Sequence, residues 1–274
     1  MKSRDIPLYQ AGIRRLPIGR SIAARALGLV AGGSVKAVVN QANMRLDLGE
    51  AIQRGMFLGT YEPEQTEWFR QCLKPGDTMI DVGASFGYYT TLGSMLVGPS
   101  GKVFAFEPSP MPAKVIEETI TASDIRNVRL IRAAVGRENG QVPLFLPTTR
   151  YLHSPSIIES DRSFQPLSVP MIALDLFEGL RGVNKVKLVK IDVEGYEPNV
   201  LDGMEQLAKS GRIENIICEF NSGWLRRNST TPEQLLERFL SLGYHVHMHT
   251  VLRQGLVGHR GESFDLQDIW FAFQ

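Results

Sequence analysis

The strongest constraint on the fold is the alternation of short apolar runs and helix-patterned segments from Met56 onward. Five runs have the length and composition of buried strands: residues 78–83, 102–108, 127–136, 186–193 and 213–221. Segments with helical spacing or capping signals follow several of them: 85–96, 110–122, 198–210 and the segment that opens with Thr231-Pro232-Glu233-Gln234. Apolar strands that alternate with helices indicate a parallel sheet with helices on both faces. We therefore expect an α/β domain over residues 55–274.

Two further regions depart from this alternation. Residues 141–147 and 168–174 have strand character and flank a loop rich in Ser, Pro and Tyr. At the end of the chain, the strands predicted at 244–251 and 268–273 leave too little chain between them for a helix. They are therefore predicted to form a hairpin, which makes the last strand antiparallel in a mostly parallel sheet.

Composition places the chain among ordinary globular proteins. It has 274 residues, of which 43% are hydrophobic and 22% charged, and a formal net charge of +1. This balance excludes a disordered chain and gives no overall field that would attract nucleic acid. The two cysteines, Cys72 and Cys218, provide neither a disulfide framework nor a zinc cluster. Because the sequence shows no membrane-spanning segment and no signal peptide, we expect a cytoplasmic location.

Basic residues are concentrated in residues 1–54, which carry nine Lys or Arg and three acids, a net charge of +6. Residues 21–30 predict a short helix with Ser21 at its N-cap. We interpret 1–54 as a basic accessory segment that precedes the 55–274 domain. Two interpretations of its role stay open: a helix packed on the domain, or a helix that covers the acceptor pocket or contacts an anionic membrane surface.

The sharpest chemical signal is the run Asp81-Val82-Gly83-Ala84-Ser85-Phe86-Gly87 at the end of the first predicted strand. Ligands of open parallel sheets bind beyond the carboxyl ends of the strands. Gly83 permits a tight turn and the close approach of a ligand, and Gly87 permits close packing of the following helix. The spacing differs from the G-x-G-x-x-G pattern that binds a pyrophosphate, which argues against the alternative of a nicotinamide-dependent oxidoreductase.

Glu107 ends the second predicted strand, 24 positions after Gly83. In a nucleotide-binding sheet, an acid at this place accepts hydrogen bonds from the ribose hydroxyls. Asp81 favours a cationic ligand group over a phosphate. Together the two carboxylates and the glycine turn fit S-adenosyl-L-methionine, which has an amino-acid part, a sulfonium and an adenosine. The sequence therefore predicts a site for this cofactor at the sheet edge.

Several blocks resemble those of the FkbM-type methyltransferase family: GTYEPEQTEWF (59–69), DVGASFGYYT (81–90), VFAFEPSP (103–110), SVPMIALDLF (168–177) and LVKIDVEGYEPNVLDG (188–203). The resemblance spans roughly residues 55–220. It implies a Rossmann-like class I methyltransferase fold with a seven-stranded sheet, and O-methylation of hydroxyls on natural products, sugars or glycolipids. One departure is Ser85-Phe86, where the family commonly has Asn followed by Ile or Val. The ring of Phe86 is therefore expected near the edge of the cofactor.

The resemblance also implies cofactor-binding roles for residues in these blocks. Those that would hold the methionine part are Asp81, Gly83, Ala84, Ser85 and Gly87. Glu107 would bind the ribose, with Pro108 and Ser109 beside it. Ala134 and Val135, after the third predicted strand, would lie along the adenine, and ordinary core packing is the alternative for these two.

The acceptor side depends on Asp192, which ends the fourth predicted strand and is expected near the transferable methyl group. A charge at an apolar strand end is costly unless it is used or paired, and pairing with Lys190 is the structural alternative. For the base that takes the acceptor's proton, Asp192 is the first candidate, Glu219 the second, and His153 in the Ser/Pro/Tyr loop the third. Asp192, Glu219 and Asn221 also resemble the acidic set by which some small O-methyltransferases hold magnesium, so metal dependence stays open.

The expected partner is a small-molecule, glycan or glycolipid acceptor. Nucleic acid is not expected, because the fourth strand lacks the Asp/Asn-Pro-Pro-aromatic signature of amino-group methylases and no basic, aromatic-interleaved patch follows residue 54. A catalytically silent module that binds S-adenosylmethionine is the remaining alternative, and the acids at 192 and 219 argue against it. His245, His247 and His249 share one face of a strand, a pattern more typical of a polar surface than of a metal site.

Overall fold

The computed structural model of the chain describes residues 6–16, 18–147, 157, 164–257 and 263–274. The amino-terminal elements are α1 (Ile6–Arg14), α2 (Arg20–Val30), β1 (Ser34–Val39), β2 (Ala42–Asp47) and α3 (Ala51–Leu58). Next come α4 (Pro63–Cys72), β3 (Thr78–Val82), α5 (Tyr88–Val97), β4 (Lys102–Phe106), α6 (Pro110–Ala122), β5 (Val128–Ile131), β6 (Ala134–Val135), β7 (Gly140–Pro147) and β8 (Phe164–Ile172). The remaining elements are β9 (Leu188–Ile191), α7 (Glu197–Asp202), α8 (Glu205–Lys209), β10 (Asn215–Asn221), α9 (Ser222–Arg227), α10 (Pro232–Ser241), β11 (Tyr244–His249), β12 (Arg253–Val257) and β13 (Ser263–Phe273).

Within the described residues, the central sheet has the strand order β11-β13-β10-β9-β3-β4-β5, and β12 pairs with the outer part of β13. The pairs from β10 through β5 are parallel, whereas β13 is antiparallel to both β10 and β11. Met79 and Ile80, adjacent on β3, are both fully buried and belong to hydrophobic clusters on opposite faces of the sheet. This arrangement confirms the expected Rossmann-like α/β fold with a mostly parallel sheet and an antiparallel last strand.

The third predicted strand, 127–136, is wrong as a single element. β5 joins the central sheet beside β4, but β6 belongs to a separate sheet of order β6-β8-β7. The N–H of Ala133 donates to the carbonyl of Ile131 at 2.9 Å, and this tight turn ends the β5 ladder. The predicted strands at 141–147 and 168–174 pair with each other in the second sheet as β7 and β8.

The prediction that the chain ends in two strands also needs a correction, because β12 lies between β11 and β13 in the sequence. β13 is long enough to pair with β10 and β11 along one part and with β12 near its start. The helix predicted over 85–96 begins at Tyr88, since the preceding residues form the glycine turn. The capping box at Thr231 and Gln234 is present as predicted, with both reciprocal hydrogen bonds.

The basic segment packs on the rest of the chain. β1 and β2 form an antiparallel hairpin that sequence analysis missed, with Asn40 and Gln41 in the left-handed region at its turn (φ 49° and 64°). The buried face of this hairpin joins the hydrophobic cluster that contains Phe69 and Tyr88. Helix α2 begins at Arg20 with Gly19 at the N-cap, so the predicted Ser21 cap is wrong. Residue 54 lies inside α3, and a domain division there stays a prediction.

No helix among the described residues is long and apolar enough to cross a membrane.

Gln10 on α1 links this helix to β1 and α3 through side-chain hydrogen bonds. Its side chain is 3% exposed, donates to the carbonyls of Val38 and Phe57 at 3.0 Å each, and accepts from the N–H of Val38 at 2.9 Å. We expect Gln10→Ala to lower the free energy of unfolding by about 1–3 kcal/mol, because it removes the side-chain partner of the N–H and the carbonyl of Val38. Urea denaturation measures this change, with the exposed Gln71→Ala as the control. Equal midpoints for the two variants would contradict the packing described.

Candidate active site

The candidate site is a cavity of about 230 Å³ at the carboxyl edge of the central sheet. The strands β3, β4, β9 and β10 all run in the same direction, so their carboxyl ends meet at this edge. Residues from the ends of all four strands line the cavity: Gly83, Glu107, Asp192 and Glu219. The fold therefore brings together residues that lie up to 136 positions apart in the sequence.

The turn after β3 has no room for a side chain at position 83. Gly83 has φ +81°, and a Cβ atom there would lie 1.9 Å from the carbonyl oxygen of Asp192. The N–H groups of Gly83 and Ala84 both donate to the carbonyl of Phe106, at 3.1 and 3.0 Å. Ser85 is also in the left-handed region, with φ 49°. The glycine at position 83 therefore allows three strand ends to approach one another closely.

Gly87 packs closely against α6. Its φ is +84°, and a Cβ atom would meet Ile116 of α6 at 3.0 Å. Neither Gly87 nor Ala84 lines the cavity, whereas Ser85 does. Phe86 does not line it either, but packs against the hydrophobic cluster that contains Tyr88. The position of its ring at the edge of the cofactor stays a prediction.

Glu107 is a buried carboxylate held by two backbone amides. Its Oε2 accepts from the N–H of Ser85 and its Oε1 from the N–H of Ser109, both at 2.7 Å. Burial raises the pKa of this carboxyl to about 7, against the opposing effect of these hydrogen bonds. Pro108 lines the cavity beside it, while Ser109 is buried and only orients the carboxylate.

Asp81 lies beneath the cavity and does not line it. Its side chain is buried, and Oδ2 accepts from the hydroxyl of Thr90 at 2.6 Å. Burial raises the pKa of Asp81, and the ammonium of Lys190 and the Thr90 hydroxyl act in the opposite direction. Oδ1 is buried and has no hydrogen-bond partner among the described residues. An unpaired buried acceptor next to the glycine turn fits a ligand that brings a donor or a positive charge.

Asp192 faces the cavity and is held by Lys190. The Nζ atom of Lys190 lies 2.7 Å from Oδ2 of Asp192, and the lysine side chain is 6% exposed. Lys190 also lies 4.8 Å above the ring of Tyr89, whose hydroxyl donates to Glu62. Burial lowers the pKa of Lys190, but the carboxylates of Asp192, Glu62 and Asp81 outweigh it and raise the pKa. Lys190 is therefore a fixed cation that orients Asp192.

Glu219 and Asp268 lie opposite each other on β10 and β13. Burial and the carboxylates of Asp192 and Glu194 raise the pKa of Glu219 well above its usual range. Burial and the carboxylate of Glu62 raise the pKa of Asp268 to about 7, although the amide of Gln65 donates to Asp268 at 2.6 Å. Glu219 therefore holds a proton more readily than an ordinary carboxyl does.

A magnesium site receives no support from the described residues. They contain no group of three or more His, Cys, Asp or Glu side chains that could hold a metal ion. Asn221, expected as one ligand, caps α9 by accepting from the N–H groups of Gly223 and Trp224. His247 packs on the ring of Trp270 with 4.5 Å between centroids.

Ala134 and Val135 are buried and line the cavity, and their contact with the adenine stays a prediction. His153, the third base candidate, lies outside the described residues. Besides Tyr61 and Glu194, several lining residues were not found by sequence analysis, among them Ile52, Glu62, Pro112, Leu144, Ile157 and Val193. Most of these lie outside the strand-end motifs, so only the folded chain could identify them.

Comparison with known proteins identifies methyltransferases as relatives of this chain. The methyltransferase FkbM domain profile matches residues 81–246. "Methyltransferase 1" of Beauveria bassiana is 26% identical over 186 residues, which are 60% of this chain and 72% of that protein. "31-O-demethyl-FK506 methyltransferase FkbM" of Streptomyces tacrolimicus is 26% identical over 175 residues, 54% of this chain and 66% of that protein.

Among solved structures, a precorrin-6y C5,15-methyltransferase from Geobacter metallireducens matches with 17% identity and a TM-score of 0.43, covering 77% of this chain and 89% of that one. The FkbM profile spans more than half of the chain and includes all four strand ends of the candidate site. The chain belongs to the methyltransferase FkbM domain family of S-adenosylmethionine-dependent methyltransferases.

Proposed function

We propose that this protein transfers a methyl group from S-adenosylmethionine to a hydroxyl of a small natural product, a sugar or a glycolipid. The observation that carries the proposal is the placement of Glu107 and Asp192 on one cavity, on either side of the Gly83 turn. Such an arrangement provides, within one site, a hydrogen-bond acceptor for the ribose of the cofactor and a base for the methyl acceptor. The relative from Streptomyces tacrolimicus, named as a 31-O-demethyl-FK506 methyltransferase, supports a hydroxyl of a natural product as acceptor.

The residues present fit the cofactor. Glu107 has two oriented oxygens for the ribose hydroxyls, and Ala134 and Val135 offer an apolar wall for the adenine. Gly83 lets the turn meet the end of β9 with no side chain between them, and Asp81 has an unpaired buried oxygen next to this turn. When bound, S-adenosylmethionine supplies an electrophilic methyl group on a sulfonium. The protein's contribution is to align the acceptor and to remove its proton.

Asp192 is the best-supported base among the described candidates. Lys190 fixes its orientation, and its side chain is 25% exposed on the cavity side. Burial and neighbouring carboxylates raise the pKa of Glu219, so a smaller share of it than of an ordinary carboxyl is ionised and free to accept a proton. A protonated Glu219 can instead donate a hydrogen bond to an oxygen of the acceptor. We therefore assign proton removal to Asp192 and acceptor orientation to Glu219.

The carboxylates around the cavity also disfavour an anionic acceptor. Glu62, Asp192, Glu194 and Glu219 all line it. A phosphate backbone brought to this edge would meet acidic groups rather than the basic residues that nucleic-acid sites use. The proposed acceptor is therefore a hydroxyl compound without a phosphate or other anionic group next to the reacting hydroxyl.

Cofactor binding should weaken below neutral pH. The pKa of Glu107 is raised to about 7, so the carboxyl gains a proton as the pH falls through 7 and can then accept fewer hydrogen bonds from the ribose. We expect the dissociation constant of 5′-methylthioadenosine, which lacks the amino-acid part, to rise about tenfold per pH unit well below 7. Glu107→Gln should bind weakly at every pH and lose this dependence. Calorimetry from pH 5 to 8 measures both, and a flat profile for the wild type would exclude Glu107 as the ribose acceptor.

Replacement of Asp192 should separate catalysis from binding. For Asp192→Asn we expect methyl transfer to fall by about 10²-fold or more, since proton removal is lost, while affinity for S-adenosylmethionine changes little. Formation of S-adenosylhomocysteine with a panel of macrolides, sugars and glycolipids measures the rate. The exposed Asp124→Asn is the matched control. Full activity of Asp192→Asn would exclude Asp192 as the base, and an inactive wild type across the panel would contradict the acceptor class.

A further inference from the structure

Helix α2 exposes a row of large apolar side chains. Ile22, Leu29 and Val30 are 75%, 83% and 80% exposed, and Ile18, just before the helix, is 87% exposed. Residues 22, 29 and 30 are separated by seven and eight positions, so they lie on one side of the helix. We call Ile18, Ile22, Leu29 and Val30 the α2 face. Contiguous exposed apolar side chains of this size mark an interaction surface.

The opposite side of α2 is fixed to the protein. Ala24 and Gly28 are buried, and a Cβ on Gly28 would lie 3.0 Å from the Cβ of Leu48. Nε of Arg54 on α3 donates to the hydroxyl of Ser21 at 3.0 Å. Because this side is occupied by close packing, the helix cannot rotate to bury the α2 face within the chain. The face must find its partner outside the described fold.

Charge around the α2 face selects the kind of partner. Arg20 and Arg25 are both exposed, and Arg25 lies three positions after Ile22 and four before Leu29. Between residues 6 and 46 the sequence contains no Asp or Glu and six basic residues: Arg14, Arg15, Arg20, Arg25, Lys36 and Arg45. Arg14 alone among these turns inward, donating to the carbonyl of Phe57 at 2.7 Å. The surface is therefore apolar with a basic border.

We propose that the α2 face binds the surface of an anionic lipid membrane. The helix would lie in the plane of the interface, with Ile22, Leu29 and Val30 in the apolar layer and Arg25 at the headgroup phosphates. An apolar stripe bordered by arginines is the pattern of interfacial helices, and long basic side chains reach from such a stripe to the headgroups. A second copy of the chain is a poorer occupant, because two such faces would bring their arginines together.

Vesicle flotation of the full chain tests this proposal. The probes are phosphatidylcholine vesicles with and without about 30% phosphatidylglycerol, a content that gives a strongly negative surface. We expect binding to the anionic vesicles alone, weakened at high salt because the arginine contribution is screened. The variant Ile22→Gln/Leu29→Gln should bind about tenfold more weakly or not at all. Its matched control is Leu176→Gln/Val251→Gln, which removes side chains that are 62% and 78% exposed elsewhere.

The outcomes are distinct. Loss of vesicle binding in the α2 variant with retention in the control supports the proposal. Equal binding by both variants, or no binding of wild type to anionic vesicles, overturns it. Sedimentation velocity that shows a wild-type dimer abolished by the α2 variant overturns it in favour of a second copy. The proposal does not depend on methyl transfer, and calorimetry of the α2 variant with S-adenosylmethionine shows separately whether the cofactor site is intact.

Discussion

The close contact between the Gly83 turn and the carbonyl oxygen of Asp192 underlies the whole site. A Cβ at position 83 would lie 1.9 Å from that oxygen, so the turn after β3 and the end of β9 can meet only with glycine there. The same turn donates two backbone N–H groups to the carbonyl of Phe106, which precedes Glu107. Three neighbouring strand ends are thereby fixed relative to one another. The cavity that holds the candidate groups is a consequence of this junction.

Buried charge is the second determinant of the site. Several carboxylates converge where the sheet ends, and Lys190 is the cation placed among them, 2.7 Å from Asp192. An unpaired carboxylate cluster of this kind would take up protons rather than stay ionised. The lysine lets Asp192 remain oriented toward the cavity, whereas burial and neighbouring acids raise the pKa of Glu219. Two acids on adjacent strands can thus have different roles in one reaction.

The sequence predicted those parts of the fold that depend on long apolar runs and glycine spacing. β3, β4, β9 and β10 were identified because strands buried on both faces leave continuous apolar runs. The β1–β2 hairpin was missed because its turn is Asn40-Gln41, which lacks the glycine that usually marks a two-residue turn. The break between β5 and β6 was missed because no glycine or proline stands at Arg132-Ala133.

The candidate site likewise contains residues that the sequence could predict and residues that it could not. Glu107 and Asp192 follow motif strands, so their place at the sheet edge could be predicted from the chain alone. The approach of Asp268 to Glu219 depends on the antiparallel register of β13, which no local pattern encodes. The same holds for Ile52 and Leu144, which reach the cavity from the amino-terminal segment and from the second sheet. Pairing of Asp192 with Lys190 was considered an alternative to catalysis, but the structure has both the pair and an open face toward the cavity.

The most direct test of this account is a calorimetric titration of the wild-type protein with S-adenosylmethionine, S-adenosylhomocysteine and NAD⁺. The account predicts one site per chain for the first two ligands and no binding of NAD⁺, because the turn at Gly83 lacks the glycine spacing that holds a pyrophosphate. Binding of NAD⁺ in preference to both sulfur compounds would contradict the assignment of the cavity.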